Sequence, residues 1–173
     1  AAGSGEGRAF AVRNADFLFT PAIDLERSKE EIVALKKQGS EVGRKVGVLT
    51  FSHVVCRPTE KEAKDYLQHF GQTNADWAAV DNLVRLQFAT RIRSHTIFWR
   101  SFAIAWPQAM AVSVGTPEQV ADGLLSLHAA GFNGTTLSFV DYAEEFPYFR
   151  DHVLPILEAR GIRRSVTIEA AAA

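Results

Sequence analysis

A chain of 173 residues with 47% hydrophobic and 23% charged residues lies within ordinary globular ranges and can bury one sizeable core, so one domain is expected. Its 19 basic and 20 acidic residues leave a formal net charge of −1, which provides no overall field to draw it to nucleic acid or an anionic membrane; small or locally recognised partners are expected instead. Cys56 is the only cysteine, which rules out an intramolecular disulfide or a multi-cysteine zinc site within this chain and suits a reducing, cytoplasmic location.

The apolar stretches are broken by charges before reaching the roughly 20 residues of a membrane helix, and no basic-then-apolar leader opens the chain. A start at Ala1 rather than methionine, within a loop-like segment, reads as a processed or partly given chain. Gly3, Gly5 and Gly7 punctuate that opening, followed by a short helix and a buried strand over Ala15–Thr20. From Asp24, a candidate N-cap, Leu25, Ile32, Val33 and Leu35 recur among Lys and Glu as in an amphipathic helix that Gly39 or Gly43 ends.

Gly47–Cys56 is apolar and β-branched nearly throughout, as in a parallel strand covered on both faces. Pro58 stops it, and Thr59-Glu60-Lys61-Glu62 is a capping box that opens a helix running to Gly71. Residues 76–112 read as a helical insertion, with Trp77, Val80, Leu83, Val84 and Phe88 at helical spacing and an aromatic cluster at Phe98, Trp99, Phe102 and Trp106. Thr116-Pro117-Glu118-Gln119 is a second capping box with proline at the first helical position, and Gly131 is the stop. A third strand over Thr135–Val140 and a last helix over Tyr148–Arg160 complete an alternation that selects parallel α/β construction.

Four pieces occur in a recognisable order: Val114-Gly115-Thr116-Pro117-Glu118-Gln119-Val120-Ala121, then Ala130-Gly131-Phe132-Asn133-Gly134, then Leu137-Ser138-Phe139, then Val153-Leu154-Pro155-Ile156-Leu157. Together they resemble the C-terminal part of the luciferase-like flavin-dependent monooxygenases, the superfamily of bacterial luciferase and alkanesulfonate monooxygenase. The resemblance runs from Ala2 to about Gly161 and implies an α/β fold: a partial (β/α)8 TIM barrel made of C-terminal strands and helices with a helical insertion. Residues 1–165 would be the C-terminal portion of a single barrel domain, with the insertion at about 76–112, and residues 166–173 a tail. Three strands are counted where the family barrel has eight, so the preceding strands, and with them much of the flavin-ring contact and the catalytic residues, are expected outside this chain.

The opening Ala2-Gly3-Ser4-Gly5-Glu6-Gly7-Arg8-Ala9-Phe10-Ala11 is similar to the family's phosphate-holding turn. Small residues let backbone approach an anion and free amides at a helix mouth donate to it, so the resemblance makes Gly3, Ser4, Gly5 and Arg8 the cofactor-binding residues. Arg8 has a second use open to it, pairing with a nearby carboxylate.

The implied activity is the use of reduced FMN and dioxygen to oxygenate a small organic substrate, with a separate flavin reductase as partner. A deazaflavin (F420)-dependent oxidoreductase of the same superfamily is the alternative within enzymes. A non-catalytic flavin-binding or assembly fragment is another, since bare strand edges call for a homo-oligomer or a complementary barrel segment. His53 reads first as a hydrogen-bonded structural histidine and second as a residue facing the cofactor. His95 with Phe98 and Trp99 reads as packing of the insertion before a substrate cavity, Cys56 as a buried inert thiol, and Asp141, Glu144 and Glu145 as a solvated helix start. No Ser-His-Asp order, HExxH or P-loop pattern occurs, and no metal site is expected.

Overall fold

The computed structural model describes residues 5–22, 24–88 and 113–164. Its elements in chain order are α1 (Gly5–Asn14), β1 (Phe17–Phe19), α2 (Leu25–Glu41), β2 (Gly47–Cys56), α3 (Glu60–Gln68) with a π-helical turn at His69–Thr73, α4 (Trp77–Phe88), β3 (Ser113–Gly115), α5 (Pro117–Ala129), β4 (Gly134–Ser138), α6 (Tyr142–His152) and α7 (Leu154–Ala159). α4 falls inside the stretch read as a helical insertion. The rest of that stretch, with the aromatic cluster, and the 166–173 tail lie outside the described residues.

β2 pairs in parallel with each of the other three strands. Gly47 N donates to Asp16 O at 2.8 Å and Thr20 N to Leu49 O at 2.9 Å, whereas Asn133 N donates to Val48 O at 2.7 Å. Adjacent residues of a strand aim their backbone groups to opposite sides, so β1 and β4 flank β2 on opposite edges. β3 joins the far end, with Val54–Cys56 in register with Ser113–Gly115. This fourth strand corrects the count of three: three residues, one of them glycine, carry no strand pattern of their own, and pairing with β2 defines them.

In-register partners share a face of the sheet. One face, with Leu18, Val48 and Val54, is fully covered by Ile32 and Leu35 of α2, Val120, Leu124 and Leu127 of α5 and Phe149 of α6. Thr50 and Ser52 sit on this face too, and Ser52 Oγ bonds Thr135 Oγ1 at 2.8 Å. The opposite face carries Phe17, Phe19, Leu49, Phe51, His53, Thr136 and Ser138 and is open, Phe17 being 58% exposed. The alternation of half-buried and buried residues along β2 reports this asymmetry, which the sequence of the strand, with apolar residues on both faces, hides.

The helix ends follow the expected chemistry. Asp24 accepts from Arg27 N at 3.1 Å, and both capping boxes form, at Thr59 with Glu62 and at Thr116 with Gln119. α2 runs past Gly39, which is buried inside it, and stops before Gly43 at a φ of 71°. The last helix of the sequence reading is two helices: Val153, with Pro155 two residues on, separates α6 from α7, and α6 starts earlier, at Tyr142.

Gly115 has a φ of +146°, and a Cβ on it would lie 2.2 Å from Gln119 Oε1, the atom that accepts from Thr116 N. Gly115→Ala is therefore expected to lower unfolding stability by about 1–3 kcal/mol through backbone strain and loss of the cap. A urea midpoint equal to that of the unsubstituted protein would show that this glycine is not required.

Candidate functional site at the carboxyl edge of the sheet

The connection from α1 to β1 is Ala15-Asp16, and Asp16 lies at the amino edge of the sheet, where its carbonyl meets Gly47 N. With so short a link, and with Ala11 and Val12 packed into the core, α1 runs antiparallel to β1. Ten residues of helix carry Gly5 about 15 Å back toward the carboxyl edge. The same edge holds His53 near the end of β2 and Ser138 at the end of β4, both on the open face. Phe19 and Phe51 stack below them, ring centroids 5.9 Å apart and planes 6° from parallel.

His53 Nδ1 lies 3.0 Å from Ser138 Oγ, and the hydroxyl also lies 3.5 Å from Ser52 O. The Phe70 ring from the π-helical turn packs edge-on against the imidazole, centroids 5.6 Å apart. His53 Nε2 is buried and has no hydrogen-bond partner among the described residues. Burial lowers the pKa of His53 below its ordinary value, against a smaller opposing pull from the Glu145 carboxylate, so the ring is neutral at pH 7. The structural reading of His53 is met at one nitrogen and unmet at the other.

Beside this histidine the strand ends are tied by an ion pair. Arg57 donates to Glu145 Oε1 at 2.6 Å, with side-chain exposures of 23% and 5%. Glu145 Oε2 accepts from Val140 N at 2.9 Å and Asp141 N at 3.2 Å, just beyond β4. Arg57 also donates to Cys56 O at 2.8 Å, gives its backbone N–H to Gly115 O at 3.0 Å and stacks on the Tyr66 ring at 3.9 Å. One arginine and one glutamate thus clamp the carboxyl ends of β2, β3 and β4. This corrects the reading of Glu145 as part of a solvated helix start: Asp141 caps α6, accepting from Ala143 N at 2.8 Å, and Glu145 is buried. Its partner is 88 residues away in sequence, beyond the reach of local pattern. Cys56 is buried, and burial pushes its thiol up to about 12, only partly offset by Arg57, which makes it inert at neutral pH.

Of the residues the sequence assigns to the cofactor, Gly5 opens α1 and Arg8 sits in its second turn; Gly3 and Ser4 lie outside the described residues, as do His95, Phe98 and Trp99. Arg8 takes up its carboxylate option, with Glu31 at 3.0 Å, and Glu31 is shared with Arg27, also at 3.0 Å. Arg8 Nε is buried without a partner among the described residues. Those residues contain no cluster of His, Cys, Asp or Glu placed to hold a metal ion, and no helix long and apolar enough to cross a membrane.

The family model of the luciferase-like monooxygenases matches residues 1–134. The chain belongs to this family. An FMNH2-dependent dimethylsulfone monooxygenase of Pseudomonas putida is 25% identical over 162 residues, covering 87% of this chain and 43% of that protein. The solved structure of a long-chain alkane monooxygenase superposes with a TM-score of 0.77 at 24% identity over 98% of this chain and 42% of its own. An F420-dependent secondary alcohol dehydrogenase shares the fold at a TM-score of 0.58 and 17% identity, over 87% of this chain and 46% of its own. This luciferase-like chain therefore folds as part of a (β/α)8 barrel and spans a little under half the length of the relatives it matches.

Two outcomes follow from the geometry. Glu145→Ala would strand the Arg57 guanidinium and two backbone amides and is expected to cost roughly 3–5 kcal/mol in a urea unfolding curve, whereas Glu145→Gln, which keeps an acceptor for the amides, should cost less. Because the folded pKa of His53 is depressed, the unfolded chain binds its proton more readily, so the stability due to the neutral ring is complete above about pH 6.5 and falls as pH drops below it. His53→Gln should flatten that part of the stability curve between pH 7 and 5, and an unchanged slope would show that His53 is not its source.

Proposed function

We propose that this chain supplies the phosphate-holding helix and part of the ring-facing sheet of a flavin-dependent monooxygenase that uses reduced FMN and dioxygen to oxygenate a small organic substrate. One observation carries the reading: α1 begins at Gly5 toward the carboxyl edge of an all-parallel sheet, in a chain of this family. The first amides of a helix have no partners within it, and the helix dipole favours an anion there. Gly3 and Gly5 let backbone approach, Ser4 adds a hydroxyl, and the Arg8 Nε that lacks a partner fits an additional donor. Glu31 holds one terminal nitrogen of Arg8 and so fixes the direction of its guanidinium.

When bound, FMN supplies the redox chemistry, and the protein's share is binding, orientation and exclusion of water. The open face offers Phe19, Leu49 and Phe51 as an apolar floor. A separate flavin reductase delivers the reduced cofactor, in the cytoplasm, and a second copy of the chain or a complementary barrel segment covers the outer edge of β4 and the part of the open face that the flavin leaves bare. The relative named as FMNH2-dependent favours FMN over the deazaflavin F420, and the substrate is a small organic molecule of unassigned class.

Fluorescence titration separates the possibilities. FMN should bind about tenfold more tightly than riboflavin, the scale of one or two hydrogen bonds to a charged group, and Ser4→Ala or Arg8→Ala should narrow that ratio. Equal binding of FMN and riboflavin would end the phosphate assignment, and tighter binding of F420 would move the chain to the deazaflavin enzymes.

A further inference from the structure

We propose that His53 is a ligand-contacting residue whose Nε2 accepts a hydrogen bond from a ring N–H of the flavin lying against the open face of the sheet. The inference rests on the flavin-binding reading above, and its evidence is local to the sheet.

Buried polar atoms in folded proteins are nearly always paired, so each exception calls for an account. Among the described residues four side-chain atoms are buried without a partner: Arg8 Nε, Arg44 Nε, Thr50 Oγ1 and His53 Nε2. The two guanidinium groups are already held by Glu31 and Asp16 through other nitrogens, and Thr50 points into the helix-covered core. His53 alone of the four belongs to the open face, next to the stacked rings of Phe19 and Phe51. A polar atom at the end of an aromatic floor fits a flat heteroaromatic ring with a polar edge.

The hydrogen-bond chain gives the role of that atom. The Ser138 hydroxyl has one proton and lies 3.0 Å from His53 Nδ1 and 3.5 Å from Ser52 O, which accepts only; the arrangement that serves both contacts has the hydroxyl donating to Ser52 O and accepting from Nδ1. With Nδ1 donating, Nε2 of the neutral ring carries the lone pair and needs a donor. The oxidised isoalloxazine ring has one ring N–H to give, at N3. Phe70, edge-on to the imidazole, covers it in this structure, so the contact requires that ring to swing aside.

The test titrates FMN and riboflavin into the unsubstituted chain and into His53→Leu, His53→Gln and Ser138→Ala, recording affinity and the visible absorption of bound flavin, with circular dichroism to confirm folding. His53→Leu should weaken FMN and riboflavin by the same factor, about tenfold, and shift the flavin bands, because the lost contact is to the ring. His53→Gln, which returns an acceptor at similar reach, should restore most of both. Ser138→Ala frees the imidazole and should weaken both flavins about threefold, a readout that stands even if the leucine variant fails to fold.

Affinity and bound spectrum unchanged in the folded His53→Leu and in Ser138→Ala would overturn the proposal while leaving FMN binding intact. A change in the FMN-to-riboflavin ratio alone would also overturn it, since that would place the histidine at the phosphate. If the two flavins bind equally but both depend on His53, the ring contact stands and the phosphate site falls. If the unsubstituted chain binds neither, both fall.

Discussion

Both hydrogen-bonding edges of β2 are occupied, by β1 on one side and β4 on the other, and β3 is attached at its far end. A strand held in this way cannot slip: a shift of one residue would turn Val48, Thr50, Ser52 and Val54 out of the helix-covered core and put Leu49, Phe51 and His53 in their place. The two faces of the sheet therefore follow from pairing as much as from composition. Everything at the carboxyl edge inherits its position from that register.

Two groups of residues share the edge. At the strand ends, Arg57 and Glu145 gather three strands in a pair that is mostly shielded from water, with both carboxylate oxygens of the glutamate engaged. On the open side, His53 and Ser138 face one another across the pairing of β2 and β4, above an aromatic floor. A rigid polar clamp beside a histidine whose second nitrogen has no partner among the described residues is an arrangement that supports a site, because the supporting groups are fixed by their own bonds and do not have to be ordered when a ligand arrives.

Much of this was legible in the residues, and for reasons that can be named. The Gly47–Cys56 run, the two capping boxes and the Asp24 cap are local signals, written within a few residues of where they act, and each formed as read. The order of the Thr116–Gln119 helix start, the glycine turn and the following strand was enough to suggest the family that the comparison bears out. What local pattern lacks is the partner across the fold. β3 is a strand because β2 is beside it; Glu145 is buried because Arg57 comes to meet it; and the last helix is split at Val153, two residues before a proline that cannot continue a helix already under way. For His53, the sequence offers a structural hydrogen bond or a place facing the cofactor, and the structure shows Nδ1 bonded and Nε2 without a partner among the described residues.

The pairing of β2 with β4 joins residues 85 positions apart, as His53 and Ser138 illustrate. On the ribosome, at roughly 5–20 residues per second, β2 would thus emerge about 4–17 s before the strand that seals its second edge. For that interval the nascent chain displays ten mostly apolar, β-prone residues with one side unzipped, the kind of template on which neighbouring chains stick together. The central strand that gives the finished sheet its order is, while the polypeptide is still being made, the part most in need of a chaperone.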